Sequence, residues 1–444
     1  MSRATRESDR APLTAPRPAG AVSRSAGLPA LVLLGLAALA LPAAARAQAP
    51  AGRPARAEPR PTAPAADTVR RRSPPPPPSS DYWQFYLLPY PSYNALEGLG
   101  LWLTGGWSKA ALPGPVPTGI SIQPLAQIST SGTRGIQLTF DHSGRWPNWR
   151  LLLSVGSLRE QRAPYFGMGN ASLYEDSLEE DHGLPYYTYS LLRTSALGAL
   201  RRRVVGPLHV QVGAQWRHYR ARPLPRPRSR LADDLAAGVP LDTGSANGLE
   251  LRAGLLLDTR DEEASPSRGI FLEALYARAL RSAGDYEYSR YGVGFRQFVQ
   301  LGEHTTLGLR QSVELTEGSI PFYVSSERMT IWRPEDGFGG TTTLRVNLPG
   351  RWTGPNKALA SVDLRYKLRH FLPTPTTPVR VWLLVFADAG RVWDDGERFV
   401  ARHLHTGYGV GTRLQVGRGG LFGLDIGWSP DAGMDFTTAV TFGF

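Results

Sequence analysis

From residue 83 onward, apolar and polar residues alternate in blocks of about ten, separated by short runs rich in Gly, Pro, Asp and Ser. A period of two places successive side chains on opposite faces, so the pattern predicts β-strands with two unlike faces. In "ALASVDLRYKL" (358–368), Val362, Leu364, Tyr366 and Leu368 fall on one face and Ser361, Asp363, Arg365 and Lys367 on the other. The last stretch repeats this: Met434, Phe436, Thr438, Val440, Phe442 and Phe444 alternate with Asp435, Thr437, Ala439, Thr441 and Gly443. Applied along the chain, the template predicts sixteen strands: 83–93, 96–107, 119–130, 133–142, 149–162, 186–203, 207–222, 248–260, 269–281, 287–301, 305–317, 358–368, 379–393, 405–417, 420–429 and 434–444. The first is interrupted by Pro89 and Pro91.

The connections fall into two classes. One set is short ("VVGP", "DEEASPSRG", "LGEHT", "GRGG"), while the other contains 163–185, 223–247 and 318–357. An even strand number, short turns at one rim and long loops at the other predict an antiparallel transmembrane β-barrel of the outer-membrane type. A soluble sandwich would need a second apolar sheet to cover each apolar face, and the pattern supplies none. The aromatic residues (11 Trp, 17 Tyr, 15 Phe) gather near strand ends, where interfacial girdles are expected. A chain ending in an aromatic strand resembles the assembly signal of outer-membrane proteins, carried here by Phe436, Phe442 and Phe444.

Ahead of the alternating region, arginines up to Arg24 precede the apolar run "LPALVLLGLAALALPAAARAQA", which ends in Ala45-Arg46-Ala47. These are the three regions of a cleaved secretory signal, predicted over 1–47. Residues 48–80 are rich in Pro, Ala and Arg and contain five consecutive prolines, which predicts an extended linker before a barrel at 81–444. The net charge of +12 resides largely in this N-terminal part, unaccompanied by a basic helix or a stacking module, so nucleic acid is not expected as a partner. The absence of cysteine excludes disulfides and thiolate metal sites.

Several motifs, in order, resemble the BamA/TamA superfamily, also called the bacterial surface antigen family. "LDTRDEEASPSRG" (257–269) resembles its D-x-R-D…P-x-x-G turn, and "GFGGTTTLRVNLPGRWTG" (337–354) its Gly-Gly…Arg-Gly-Phe/Tyr loop. "SVDLRY" (361–366), "FADAGRVW" (386–393) and "YFGMGN" (165–170) are similar to three further family motifs. The resemblance implies that loop 318–357 folds into the lumen, with Arg345 locked by Asp363 and Asp388 beside Phe386 and Gly390. Physical chemistry agrees, because a guanidinium in a confined space needs carboxylates, preferably in bidentate geometry. Glycines at 407, 409 and 411 are expected to let the loop backbone approach. Two departures stand out: Val346-Asn347 replaces the family's Gly-aromatic pair, and the linker stands where the family has periplasmic POTRA domains.

Other chemistry is weaker. "HLH" (403–405) offers two imidazoles without a third ligand, which reads as exposed histidines. "DHSG" (141–144) cannot form a triad from adjacent residues, and the glycines at 407–411 precede no helix. The acidic stretch "YEDSLEEDH" (174–182) reads as a solvated loop, with bridging of divalent cations to lipopolysaccharide phosphates as the functional alternative. The sequence therefore predicts a non-enzymatic barrel without cofactor or metal. Its expected role is insertion or translocation of client proteins or lipids, its expected partners the membrane lipids, lipopolysaccharide and the barrel-assembly machinery. A passive or gated channel and a non-transporting surface barrel are the alternatives.

Overall fold

The structure, a computed structural model, describes residues 83–94, 96–110, 116, 118–143, 146, 148–178, 186–224, 228–332, 335–368, 371–374, 377–416 and 420–439. The expected signal (1–47) and linker (48–80) lie outside the described residues, as do Phe442 and Phe444; Phe436 lies within them.

Among the described residues, sixteen strands wind up and down to form the wall. They are β1 (Gln84–Asn94), β2 (Gly98–Ala110), β3 (Thr118–Ser129), β4 (Arg134–His142), β5 (Trp149–Pro164), β6 (Thr188–Val205), β7 (Leu208–Pro223) and β8 (Gly244–Asp258). The series continues with β9 (Gly269–Ala279), β10 (Glu287–Gln300), β11 (Thr305–Ser319), β12 (Asn356–Lys367), β13 (Thr377–Trp393), β14 (His405–Val416), β15 (Gly420–Ser429) and β16 (Gly433–Ala439). Each pairs antiparallel with the next. A short strand, Phe371–Thr374, adds to the start of β13. The barrel is nearly closed: among the described residues no ladder joins β1 to β16, although the Tyr90 ring of β1 lies 6.0 Å from that of Phe422 in β15.

The two faces are the reverse of a soluble protein's. On β12, Lys357, Leu359, Ser361, Asp363 and Arg365 are buried inside, while Val362, Leu364 and Tyr366 face outward and are exposed. The same holds around the ring, where Ile136, Val155, Val212, Leu255, Val293 and Val410 are bare. An exposed apolar wall around a charged interior is stable only with hydrocarbon outside. Among the described residues no helix is long and apolar enough to cross a membrane; the crossing elements are strands.

The three long connections meet at one end. Helix α1 (Arg230–Ala236), in the β7–β8 connection, is capped by Ser229, whose hydroxyl accepts from the Ala232 amide at 3.3 Å. Tyr165 and Tyr186 of the β5–β6 connection donate their hydroxyls to Asp234 (2.9 Å) and Asp233 (2.7 Å) of that helix. Burial pushes the hydroxyl pKa of Tyr186 up to about 12, and the bond to Asp233 adds to the shift, so it remains a donor throughout the physiological range. Tyr165 also meets Phe322 of α2 (Phe322–Ser325), in the β11–β12 connection, edge to face. The girdle reading therefore needs correction. Trp149, Trp216, Tyr276, Tyr291 and Trp428 do face outward, but Tyr165, Tyr189, Tyr219, Tyr288, Phe322 and Tyr323 form a buried core under the long connections. A period of two cannot tell an aromatic facing lipid from one that another segment covers.

Candidate functional site

Arg345 stands in the β11–β12 connection, and its guanidinium is almost wholly buried. Its Nε donates to Asp388 Oδ2 and its Nη2 to Asp388 Oδ1, both at 2.8 Å, a bidentate fork. The same Nη2 donates to Asp363 Oδ1 at 2.7 Å, and the Arg345 backbone amide donates to Asp388 Oδ2 at 2.9 Å. The Phe386 ring lies under the guanidinium at 4.0 Å. Arg365, two residues along β12, donates to the second oxygen of Asp363 at 3.2 Å. Two guanidiniums thus face two carboxylates, so the buried cluster is neutral.

The residues around Arg345 explain how the loop sits without the family's Gly-aromatic pair. Val346 has φ +60°, the left-handed region that a β-branched residue avoids at a cost of about 1–3 kcal/mol. Its side chain is buried among Trp382, Leu384, Phe386 and Leu421, and this packing holds the strained backbone in place. A methyl at Gly407 would strike the Arg345 carbonyl oxygen, so β14 must be bare there. Gly409 and Gly411 do not serve the loop: a Cβ at either would meet β15, at the Ile426 carbonyl or the Asp425 carboxylate. At Gly390 a Cβ would come within 3.0 Å of the Phe338 ring.

Trp352 is the aromatic anchor. It is buried with Phe338, Leu344, Leu359 and Val392, and it stacks on His405 at 3.9 Å. His405 is therefore not the exposed histidine expected from "HLH": it also bonds to Asp431 (3.1 Å) and to the Asn170 carbonyl (3.0 Å). The "YFGMGN" turn completes this clamp. Gly169 N donates to Thr353 O at 2.8 Å, and the Asn170 side chain accepts from Val392 N at 3.1 Å.

A second set of contacts was not foreseen. Residues 327–332 run along the wall with their backbone held by side chains. Met329 N donates to Glu314 (2.7 Å) and Ile331 N to Glu273 (3.2 Å), while Arg252 donates to the Thr330 and Trp332 carbonyls (3.2 and 3.3 Å). Glu327 pairs with Arg193 and Arg217 at 3.1 and 3.3 Å. Trp332 lies beneath the guanidiniums of Arg201 and Arg150, 3.6 and 4.5 Å from its ring. The sequence signal was present, as charges at every second position of "ELRAG" and on the polar faces of β9–β11. The missing part was the backbone that those charges hold.

The β8–β9 turn, one of the short connections, is also tied down. Glu263 accepts from Arg150 of β5 at 2.9 Å, and Arg150 also grips Asp141. Glu262 pairs with Arg380 of β13 at 3.1 Å, and Ser265 donates to Gln415 of β14 at 3.1 Å. One turn thus reaches strands on both sides of its own position in the ring, at the end opposite the long connections. Burial would raise the Glu263 carboxyl, but Arg150 and Arg260 overcome it and hold it at about 2. Asp141 is occupied by Arg150 and His142 lies against Trp146 at 4.2 Å, so "DHSG" is structural. No cluster of three or more potential metal ligands occurs among the described residues.

The family model of the Omp85 superfamily domain matches residues 169–444. Among solved structures, the chain is similar to "BamA from Haemophilus ducreyi lacking POTRA domains 1-3", at 14% identity and TM-score 0.48, covering 80% of this chain and 70% of that one. It is also similar to "CdiB from Acinetobacter baumannii", at 11% identity and TM-score 0.43, covering 80% of this chain and 64% of that one. A "bacterial polysaccharide outer membrane secretin" follows at 9% identity and TM-score 0.37, covering 79% of this chain and 90% of that one. No curated protein matches in sequence. The matched domain spans well over half of the chain and contains the Arg345 loop and both of its carboxylates, so this chain belongs to the Omp85 superfamily of outer-membrane β-barrels.

Proposed function

We propose that this barrel inserts or translocates proteins or lipids at the outer membrane as a non-enzymatic assembly or transport protein. In this reading 1–47 exports the chain, 48–80 is a spacer, and the Phe436-to-Phe444 stretch hands it to the barrel-assembly machinery. The observation that carries the reading is the asymmetry of the interior. The 318–357 connection is tied to strands from β5 to β14, whereas β1 makes no ladder with β16 among the described residues. Pro89 and Pro91 leave β1 two backbone donors short, which further weakens closure at that edge. Such a barrel opens more cheaply at its β1 edge than through its filled centre.

The test is depletion, followed by outer-membrane proteomics and a lipid-asymmetry assay, with wild type or Arg345→Ala supplied in trans. Loss of a set of clients or of asymmetry, rescued by wild type only, supports the reading. If depletion changes neither, and the purified barrel passes ions, a gated channel takes its place. One observation favours that second reading: a cavity of about 200 Å³ lined by Gln127, Gln137, Ser154, Arg193 and Glu327.

A further inference from the structure

The outer wall is apolar through its middle, but its pattern breaks near the end with the long connections. Cross-strand partners share a face of the sheet. Arg134, the first residue of β4, is directly opposite Arg159 of β5. Arg159 is opposite Leu192 of β6, and Leu192 is opposite Arg220 of β7. These positions are in step with Ile136, Val155 and Trp216, which face outward. Arg222 follows Arg220 on the same face, and all four arginines are exposed.

Like charges placed directly opposite destabilise a sheet, and here nothing offsets them. Inside the barrel, Arg193, Arg290, Arg345 and Arg413 each have a carboxylate partner. Among the described residues no carboxylate pairs with Arg134, Arg159, Arg220 or Arg222. Arg220 makes one bond, from Nε to Ser245 Oγ at 3.0 Å, which leaves the end of its fork open. A guanidinium fork matches the oxygens of a phosphate. Strands lie about 4.8 Å apart, so Arg134 and Arg159 are close enough to share one anion and Arg220 stands about 10 Å further round. The row lies at the upper border of the apolar wall, where lipid headgroups sit, and on the side of the long, outward loops.

We propose that Arg134, Arg159, Arg220 and Arg222 form a docking surface for the phosphates of a phosphorylated glycolipid in the outer leaflet. The inference rests on the outer-membrane reading and replaces the acidic stretch 174–182 as the place where lipopolysaccharide is met. It calls for no bridging cation, since the protein supplies the positive charge.

The experiment uses the full-length protein, folded and placed in phosphatidylcholine bilayers containing a few mole per cent of bisphosphorylated lipid A or its dephosphorylated form. Bound lipid is read after delipidation with mild detergent. The bisphosphorylated form is expected to be retained and the dephosphorylated form lost. Combined Arg134→Gln, Arg159→Gln and Arg220→Gln should weaken retention on the order of a hundred-fold. The triple Lys variant keeps the charge and should retain most of the binding. Heat-modifiable mobility checks that each variant is folded. Equal retention of the dephosphorylated lipid, or by the folded Gln variant, overturns the proposal. Displacement by millimolar inorganic phosphate would assign the row to free phosphate and overturn the lipid. If wild type gives no heat-modifiable species in the membrane fraction, the membrane reading itself fails; a folded, membrane-borne wild type that ignores lipid A sinks the docking surface alone.

Discussion

Two parts of the interior wall contrast sharply. From β1 to the middle of β4 the inward residues are uncharged: Tyr90, Thr104, Ser121, Gln123, Gln127 and Gln137. Their bonds are local, as between Gln137 and Thr139 (3.2 Å) or Ser154 (3.0 Å). From β6 to β15 the inward positions carry Glu250, Glu273, Arg290, Glu314, Asp363 and Asp388, all buried and all engaged by wall or loop. Both walls are polar, but the charged one holds the long connection and the neutral one does not. A confined loop backbone needs strong, directed partners, and charge-assisted bonds supply them where neutral amides pair among themselves. Where the loop lies is thus decided by which wall carries charge.

Breaking the charged wall should have the largest effect. Arg345→Ala leaves Asp363 and Asp388 buried and short of positive charge, at a cost of about 3–5 kcal/mol. It should expose the connection to protease or raise single-channel conductance. Arg345→Lys should restore little, because an ammonium lacks the planar fork. The swap of Arg345→Asp with Asp388→Arg should recover part of the loss. Unchanged proteolysis and conductance in Arg345→Ala would mean that the loop is held elsewhere.

Trp332→Ala tests the other end of the same connection. Losing the stack beneath Arg201 and Arg150 should cost about 2 kcal/mol and open 327–332 to protease while the Arg345 cluster stays intact. Cleavage near Arg345 instead would show that the two anchorages act as one.

The β8–β9 turn should respond to pH with a smaller amplitude, because the Glu263 side chain keeps 24% of its surface exposed. Its carboxyl is depressed in the folded state, so its contribution is fully present above about 4.5 and is lost as the pH falls towards about 2. A spin label on the turn should stay immobile at pH 5 and loosen only well below 4. Glu263→Gln should abolish that dependence. The smallest effect is expected on the neutral wall, where Gln123→Ala or Gln137→Ala should change stability by no more than about 0.5 kcal/mol. A larger loss there would erase the contrast between the walls.

Much of this was legible in the sequence because a strand's two faces are a local property. Alternation alone placed sixteen strands and set Asp363 against Val362 and Leu364, and the motifs singled out Arg345 with its two carboxylates. Val346 marks where sequence reasoning stops. It read as the loss of a required glycine, yet the side chain is packed so tightly that the strained backbone is held regardless. Gly409 and Gly411 shared a face with Gly407, but only the register with β15 reveals that they make room for a neighbouring strand.

The sequence by itself determined the strands, which face of each meets hydrocarbon, and which connections are long, since all of these follow from spacing along the chain. The tertiary structure alone decided that 327–332 runs along β5–β11, that a ten-residue turn ties β5 to β13 and β14, and that His405 carries a tryptophan rather than facing water. Those pairings join residues more than fifty positions apart, or a side chain to a backbone with no periodicity of its own. Ring closure brings such partners together, and no local pattern of apolar and polar residues encodes the distance between them.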